Sequence, residues 1–357
     1  MRRSKQIVSQ DGALTVLCSN ISQVCIASSQ HALLQYLLLF DDYTVKYKTF
    51  YMLGYGIGTD ISAHLPACHF GTSPTARKHS LMRMLDKVLI RIFKYAKFPF
   101  LRSADIYALD WGFAAPLIGR RQYSLLADCP LFMSHNMQET SGEFLRQLHQ
   151  KHSLEGRLER WLIGNIAISG HGNNPQCQRF FLTEENVSPV LKNKEIHIQS
   201  LQCLWDNASN DKKNFVATTF NVAQSDVDGI SGRDIMFMTQ ALITDAILSE
   251  TEYLHLLNRL FSRYDQSKLL IKLHPRDRFD YRRYFPDVAV YDKPVNIQLL
   301  VLMGTSVSKA VTICSSSINA FPETVDVEWL GVEAHPALKR FYGDTLLPMR
   351  KYKQIQL

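Results

Sequence analysis

The sequence predicts an α/β protein made of two doubly wound, Rossmann-type domains that face each other across a cleft. Three observations carry this. Short apolar runs rich in β-branched and aromatic residues alternate with helical stretches, the pattern of a mostly parallel sheet covered by helices. The chain has 357 residues and 46% hydrophobic side chains, enough for two packed cores. Two such series are separated by a poorly periodic stretch, residues 165–232, flanked by turn clusters at Gly170–Pro175 and Ser225–Gly232. The expected division is therefore an amino-terminal domain over residues 1–200 and a carboxy-terminal domain over residues 201–357.

In the first domain, Val24–Ala27 reads as a short buried strand. Ser28 or Ser29 is placed to cap a helix running through His31–Leu38. Thr44–Leu53 is rich in β-branched and aromatic residues and predicts a second strand. Asp105–Leu109 and Tyr123–Leu126 are the third and fourth. In the second domain Ile235–Thr239 is a buried strand. Ser249-Glu250-Thr251-Glu252 is a capping box, opening a helix whose stripe is Tyr253, Leu256, Leu257, Leu260, Phe261 and Tyr264. Strands at Lys268–Leu273, Val288–Tyr291 and Ala310–Cys314, with a helix over Val295–Met303, complete the second series.

Composition narrows the function classes. Seven cysteines are scattered, odd in number and never spaced Cys-x-x-Cys, which argues against a disulfide framework and a structural zinc site. Met1-Arg2-Arg3-Ser4-Lys5-Gln6 leads into Ser9, Gln10 and Asp11 rather than an apolar region, and no run approaches 18 apolar residues. The expectation is a cytoplasmic protein. Net charge is +7, unevenly spread. From Arg77 to Arg102 eight Lys/Arg stand against one acid, Asp86, with apolar residues near helical spacing. A basic amphipathic helix over 77–102 can lie on an anionic membrane surface, or be an ordinary packed helix with a solvated basic face. No stacking platform or motif for nucleic acid accompanies it.

Chemistry concentrates at two strand ends. The apolar run Leu269–Leu273 stops at His274-Pro275-Arg276-Asp277, and Val311–Cys314 ends in Ser315-Ser316-Ser317. In open α/β sheets ligands sit beyond the carboxyl ends of strands. His274 can donate a proton or hydrogen bond to a departing phosphate, Pro275 stiffens the backbone, and Arg276 offers a planar fork for an anion. The serines supply hydroxyls, or simply cap a helix at Ile318. Carboxylates at strand ends, Asp110, Asp128 and Asp245, are candidate bases or solvated turn residues.

Ile235–Leu242, the capped helix, Ile271–Asp277 and Ser315–Ser317, in this order, resemble the bacterial sialyltransferases of glycosyltransferase family 52. That family comprises lipooligosaccharide and polysaccharide enzymes, and the likeness is good over about 234–325. The resemblance implies a GT-B-like fold and an inverting, metal-independent transfer from CMP-sialic acid, with no cofactor. His274 meets the CMP phosphate, and Ser315 and Ser316 hold that phosphate or the donor carboxylate. Pro275, Arg276, Ser317, Gln240 and Lys272 are grouped with them at the nucleotide. An aspartate removes the acceptor proton. Relatives often carry paired acids followed by glycine in the amino domain; this chain has Ala127-Asp128-Cys129 there. The base is thus Asp245 or Asp128, with Asp245 favoured because it lies in the better-matching half.

The expected partners are a nucleotide-sugar donor, a lipid-linked, lipopolysaccharide or capsular glycan acceptor, an anionic membrane surface and a second copy of the chain. Nucleic acid is not among them. The rivals are a transferase using another nucleotide-activated sugar or polyol phosphate, and a non-enzymatic accessory protein of polysaccharide biosynthesis.

Overall fold

The structure, a computed structural model, describes residues 20–70, 89–90, 93–110, 113–128, 157, 161, 164, 172, 174–183, 194–343 and 352–355. Two all-parallel sheets organise it. The first has seven strands: β1 (Gln23–Ala27), β2 (Thr49–Leu53), β3 (Ala67–His69), β4 (Asp105–Ala108), β5 (Tyr123–Leu126), β6 (Cys177–Leu182) and β7 (Glu195–Ile198), in the order β3-β2-β1-β4-β5-β6-β7. The second has six: β8 (Ile235–Met238), β9 (Leu269–Lys272), β10 (Ala289–Tyr291), β11 (Lys309–Thr312), β12 (Asp326–Trp329) and β13 (Lys353–Gln354), in the order β10-β9-β8-β11-β12-β13. Each order reverses direction once, between β1 and β4 and between β8 and β11. Those reversals open the crevices where ligands bind in doubly wound sheets.

Helix α1 (Gln30–Leu39) follows β1 directly, started by Ser29, whose Oγ accepts from the Ala32 amide at 3.2 Å. Every residue from Gln30 to Leu38 is buried, so the helix is enclosed on all sides rather than amphipathic. Its polar Gln35 is satisfied by stitching the sheet: Nε2 donates to the Phe181 carbonyl at 2.9 Å and Oε1 accepts from the Ala127 amide at 3.0 Å. Helix α2 (Ala114–Ile118) connects β4 to β5, and α3 (Leu201–Asp206), α4 (Asn210–Thr219) and α5 (Gln224–Ser231) follow β7 in sequence and lead to β8. One apolar core runs unbroken from α1 and the β1–β2 face through Trp205 and Val216 to β8, β9 and β11. A smaller core lies on the other face of the first sheet, around Val24, Ile106, Leu117 and Phe180.

In the second half the capping box forms as its spacing predicts. Ser249 Oγ accepts from the Glu252 amide and Glu252 Oε2 accepts from the Ser249 amide, opening α6 (Glu250–Phe261). Helix α7 (Ile297–Leu302) sits between β10 and β11, and α8 (Pro336–Tyr342) follows β12.

Two local expectations are corrected. Thr44–Leu53 is not strand throughout: Thr44–Lys48 coil into a π turn and only Thr49–Leu53 pair with β1. Asp41 starts that turn by accepting from the Thr44 amide at 2.9 Å and the Thr44 hydroxyl at 2.6 Å, a local bond that outcompetes extended backbone. The basic helix expected over 77–102 lies largely outside the described residues. Residues 89–90 and 93–97 are helical and Pro99–Arg102 form a 3₁₀ turn. Lys94 is buried there, its Nζ donating to the carbonyls of Pro116 and Leu117 at 3.0 and 2.7 Å, so this cation is structural rather than solvated. Among the described residues no helix is long and apolar enough to cross a membrane.

Candidate active site

A cleft of about 340 Å³ opens where the carboxyl ends of the two sheets meet. The first half contributes Ser28 to His31 after β1, Tyr55 and Gly56 after β2, and Asp128 after β5. The second contributes Thr239 after β8, Lys272 to Arg276 at the end of β9, Asn296 to Gln298 at the start of α7, and Ser315 to Ser317 after β11. The histidine and the three serines, some forty residues apart in sequence, thus share one cavity. Its volume suits a small nucleotide-sized ligand.

His274 is held by its own backbone. Its amide donates to Thr239 Oγ1 at 2.9 Å, and its Nδ1 accepts from the Arg276 amide at 3.1 Å. With Nδ1 accepting, the neutral ring carries its proton on Nε2. Burial, followed by the positive Arg276 and Lys272, pushes the imidazole down to about 4, so near neutral pH it is an uncharged donor. Lys272 is also buried, its Nζ donating to the carbonyls of Leu273 (2.8 Å) and Lys293 (3.3 Å) and lying 5.5 Å from the Tyr291 ring centroid. Burial lowers its ammonium to about 7. A cleft that weakens two bases in this way gains when an anion enters, because the anion restores the favoured protonated forms.

The serines divide their work. Ser315 Oγ accepts from the Ser317 amide at 3.4 Å and caps the 3₁₀ turn Ser316–Ala320, while the Ser315 amide donates to Thr312 Oγ1 at 3.2 Å. Ser316 and Ser317 line the cleft beside it. Gln240 does not line the cleft; its Oε1 accepts from the Cys314 amide at 3.0 Å and so fixes the strand end carrying the serines. Pro275 and Arg276 line the cleft as well.

The three carboxylates part company. Asp110 is buried away from the cleft, accepting from Tyr123 Oη at 2.5 Å and from the Gly172 amide at 2.7 Å. Gly172 has φ +75, and a Cβ there would meet the Phe180 ring at 2.1 Å, so the turn needs glycine. Asp245 gives both oxygens to Arg276 at 2.5 and 3.0 Å, a bidentate pair that stands behind the arginine rather than in the cleft wall. Asp128 lines the cleft, and its backbone is pinned: its carbonyl accepts from Ser29 Oγ at 3.0 Å, beside the Ala127 amide that Gln35 holds.

Sequence reasoning missed the contribution of α1. His31 Nδ1 lies 2.9 Å from Gln298 Oε1 of α7 and its Nε2 3.3 Å from Thr183 Oγ1, while Gln30 Nε2 donates to the Pro294 carbonyl. The helix cap was legible, but nothing local in Gln30-His31 announces partners more than 250 residues away. Burial pushes His31 down to about 4 as well.

These two histidines set an acid limit on stability. Their unfolded values lie near 6.5, so below that pH the unfolded chain binds more protons and stability falls progressively toward pH 4. For buried His31 the full loss is about 3 kcal/mol, at roughly 1.4 kcal/mol per pKa unit, and for part-exposed His274 it is less. Thermal midpoints measured between pH 4 and 7 are expected to drop steeply for the native chain and less steeply for His31→Gln. Equal slopes would remove His31 from the account.

The profile of glycosyltransferase family 52 matches residues 135–335, more than half of the chain. An uncharacterized protein of Haemophilus influenzae is 29% identical over 185 residues, 52% of this chain and 60% of that protein, so the match spans less than two thirds of its length. Among solved structures, the α/β-galactoside α-2,3-sialyltransferase of Photobacterium phosphoreum superposes with TM-score 0.53 at 10% identity, over 93% of this chain and 97% of that one. The GT-B domain of a Photobacterium damselae sialyltransferase gives 0.50 at 14%, over 86% and 90%. A Photobacterium sp. 2,6-sialyltransferase, solved with CMP and lactose, gives 0.50 at 9%, over 86% and 71%. At such identities the likeness carries the fold, which is GT-B. With this fold and with the family profile running through β9, His274 and the serines, the chain belongs to glycosyltransferase family 52.

Proposed function

We propose that the protein is an inverting sialyltransferase that moves sialic acid from CMP-sialic acid to a terminal sugar of a lipid-linked, lipopolysaccharide or capsular glycan. The observation that carries this reading is the meeting of His274, Lys272 and the serines with Asp128 in one cleft between two sheet ends. The family membership and the CMP-bound neighbour support the choice of donor.

In this reading Asp128 takes the proton of the acceptor hydroxyl, whose oxygen bonds to the anomeric carbon of the sialyl group from the face opposite the phosphate. The bond from that carbon to the phosphate oxygen breaks and its electron pair leaves on CMP. His274 Nε2–H donates to the departing phosphate, Ser316 and Ser317 hydrogen-bond its oxygens, and Lys272 adds positive charge. The phosphate raises the imidazole's affinity for a proton, opposing the depression produced by burial and by the positive Arg276 and Lys272. Preorganised donors aimed at developing charge are a large part of catalysis in such sites. No cofactor enters the scheme. Attachment to an anionic membrane, a cytoplasmic location and assembly with a second copy belong to the same proposal, the first resting on the charge of residues 77–102.

CMP is expected to raise the thermal unfolding midpoint by several degrees and UDP by none at equal concentration, since saturation at a hundred times Kd adds about 2.7 kcal/mol to stability. Incubation with CMP-sialic acid and a galactose-terminated acceptor should then release CMP and yield sialylated product. Protection by UDP instead would favour a transferase of another nucleotide sugar. Folded protein that responds to no nucleotide would favour the accessory-protein reading.

A further inference from the structure

The loop that carries His274 rests on a buried polar network that the proposed chemistry does not touch. Asp277 is buried, and its amide donates to the His274 carbonyl at 2.9 Å, closing the turn His274–Asp277. Its Oδ1 accepts from the Phe279 amide at 3.1 Å and its Oδ2 from Tyr281 Oη at 2.8 Å. Tyr281 Oη lies 2.7 Å from Tyr253 Oη, in the first turn of α6. Both tyrosines are buried, and burial above all, with neighbouring Asp277, drives their phenols well above the usual range, so they stay protonated. Phe279 packs edge-on against both rings, with centroids 5.3 and 4.8 Å away, leaving the network little room to shift.

A carboxylate that is buried, bonded to two donors and set apart from the cleft lining is expensive unless it specifies something. What it specifies here is the turn. Asp277 ties the far end of His274-Pro275-Arg276 to the capped helix α6, and the same turn brings the Arg276 amide onto His274 Nδ1. That amide decides which imidazole nitrogen carries the proton. We propose that Asp277, with Tyr281 and Tyr253 behind it, is a positioning device for His274: it holds the turn that keeps Nε2–H as the donor facing the cleft. It acts through His274 and touches no substrate, and it rests on the transferase reading of that histidine.

The test compares Asp277→Asn and Tyr281→Phe with the native chain and with the same changes in a His274→Ala background. Asparagine keeps the shape and the acceptor for the Phe279 amide but offers an N–H where Tyr281 needs an oxygen; phenylalanine removes only the hydroxyl. Each single change is expected to lower kcat about ten- to a hundredfold, the scale of a small misplacement of a reacting group, with KM for the donor moved less than threefold. In the His274→Ala background the same changes should cost less than twofold. Equal losses in both backgrounds, or an unchanged kcat, would overturn the proposal.

A second readout needs no turnover. In the unliganded protein the ring nitrogens of His274, observed by ¹⁵N NMR, should show the Nε2–H form in the native chain and a mixture of both neutral forms in Asp277→Asn and Tyr281→Phe. An unaltered tautomer in folded variants would sink the positioning role. Failure of the transferase reading would instead appear as a native protein that transfers nothing while its histidine still responds to the variants.

Discussion

Replacing His274 with alanine is expected to lower kcat by about two to four powers of ten and to leave the fold in place. The large effect follows from the ring's position. It is the imidazole at the end of β9, held by the Arg276 amide through Nδ1, with its other nitrogen left to donate. The small structural effect follows from the same contacts. The His274 amide keeps its bond to Thr239, and one lost side-chain acceptor for the Arg276 amide costs on the order of 1 kcal/mol. Single-turnover rates with CMP-sialic acid, beside thermal midpoints, separate the two effects. A variant that is folded and within fivefold of the native rate would remove His274 from the chemistry.

Asp128→Asn is expected to produce the second large loss, again about two to four powers of ten in kcat, with donor affinity little changed. The likeness of the carboxy-terminal half favours Asp245 as the base, but the geometry favours Asp128. A base must reach the acceptor proton, and Asp128 lines the cleft on the side facing His274 and the serines. Both oxygens of Asp245 are engaged by the Arg276 guanidinium. Asp245→Asn should therefore act through Arg276, raising KM for the anionic donor more than it lowers kcat. A KM and kcat series on the two variants decides between them. If the Asp245 variant is the one that loses kcat, the two aspartates exchange roles.

Much of the second half was legible because its signals are local. The capping box at Ser249 and the stripe from Tyr253 to Phe261 define α6 without any tertiary information. Leu269–Lys272 is apolar enough to read as a strand, and its abrupt stop at His274 marks the sheet edge. The first half hid its architecture for physical reasons. β7, Glu195–Ile198, is largely exposed at the sheet edge, so Glu-Ile-His-Ile lacks the apolar density of a buried strand. β3 is three residues long, Ala67–His69. At the start of the second half, helix α4, Asn210–Thr219, likewise carries few apolar residues and relies on the Ser209 cap, whose Oγ accepts from the Lys212 amide at 3.1 Å. In the site, the strand-end residues were readable because chemistry there follows chain order. The pairing of His31 with Gln298, and the withdrawal of Asp110 into a buried bond with Tyr123, depend on contacts that no local window contains.

Helix α1 belongs by sequence to the first half, yet its leading residues are bonded to the segment that opens α7, and its apolar flank is continuous with the interior of the second half. The chain is consequently a poor candidate for modular shuffling. A chimera that borrowed the amino-terminal half of another transferase would have to import both edges of this seam together. Otherwise it would leave a buried glutamine and a buried imidazole facing strangers.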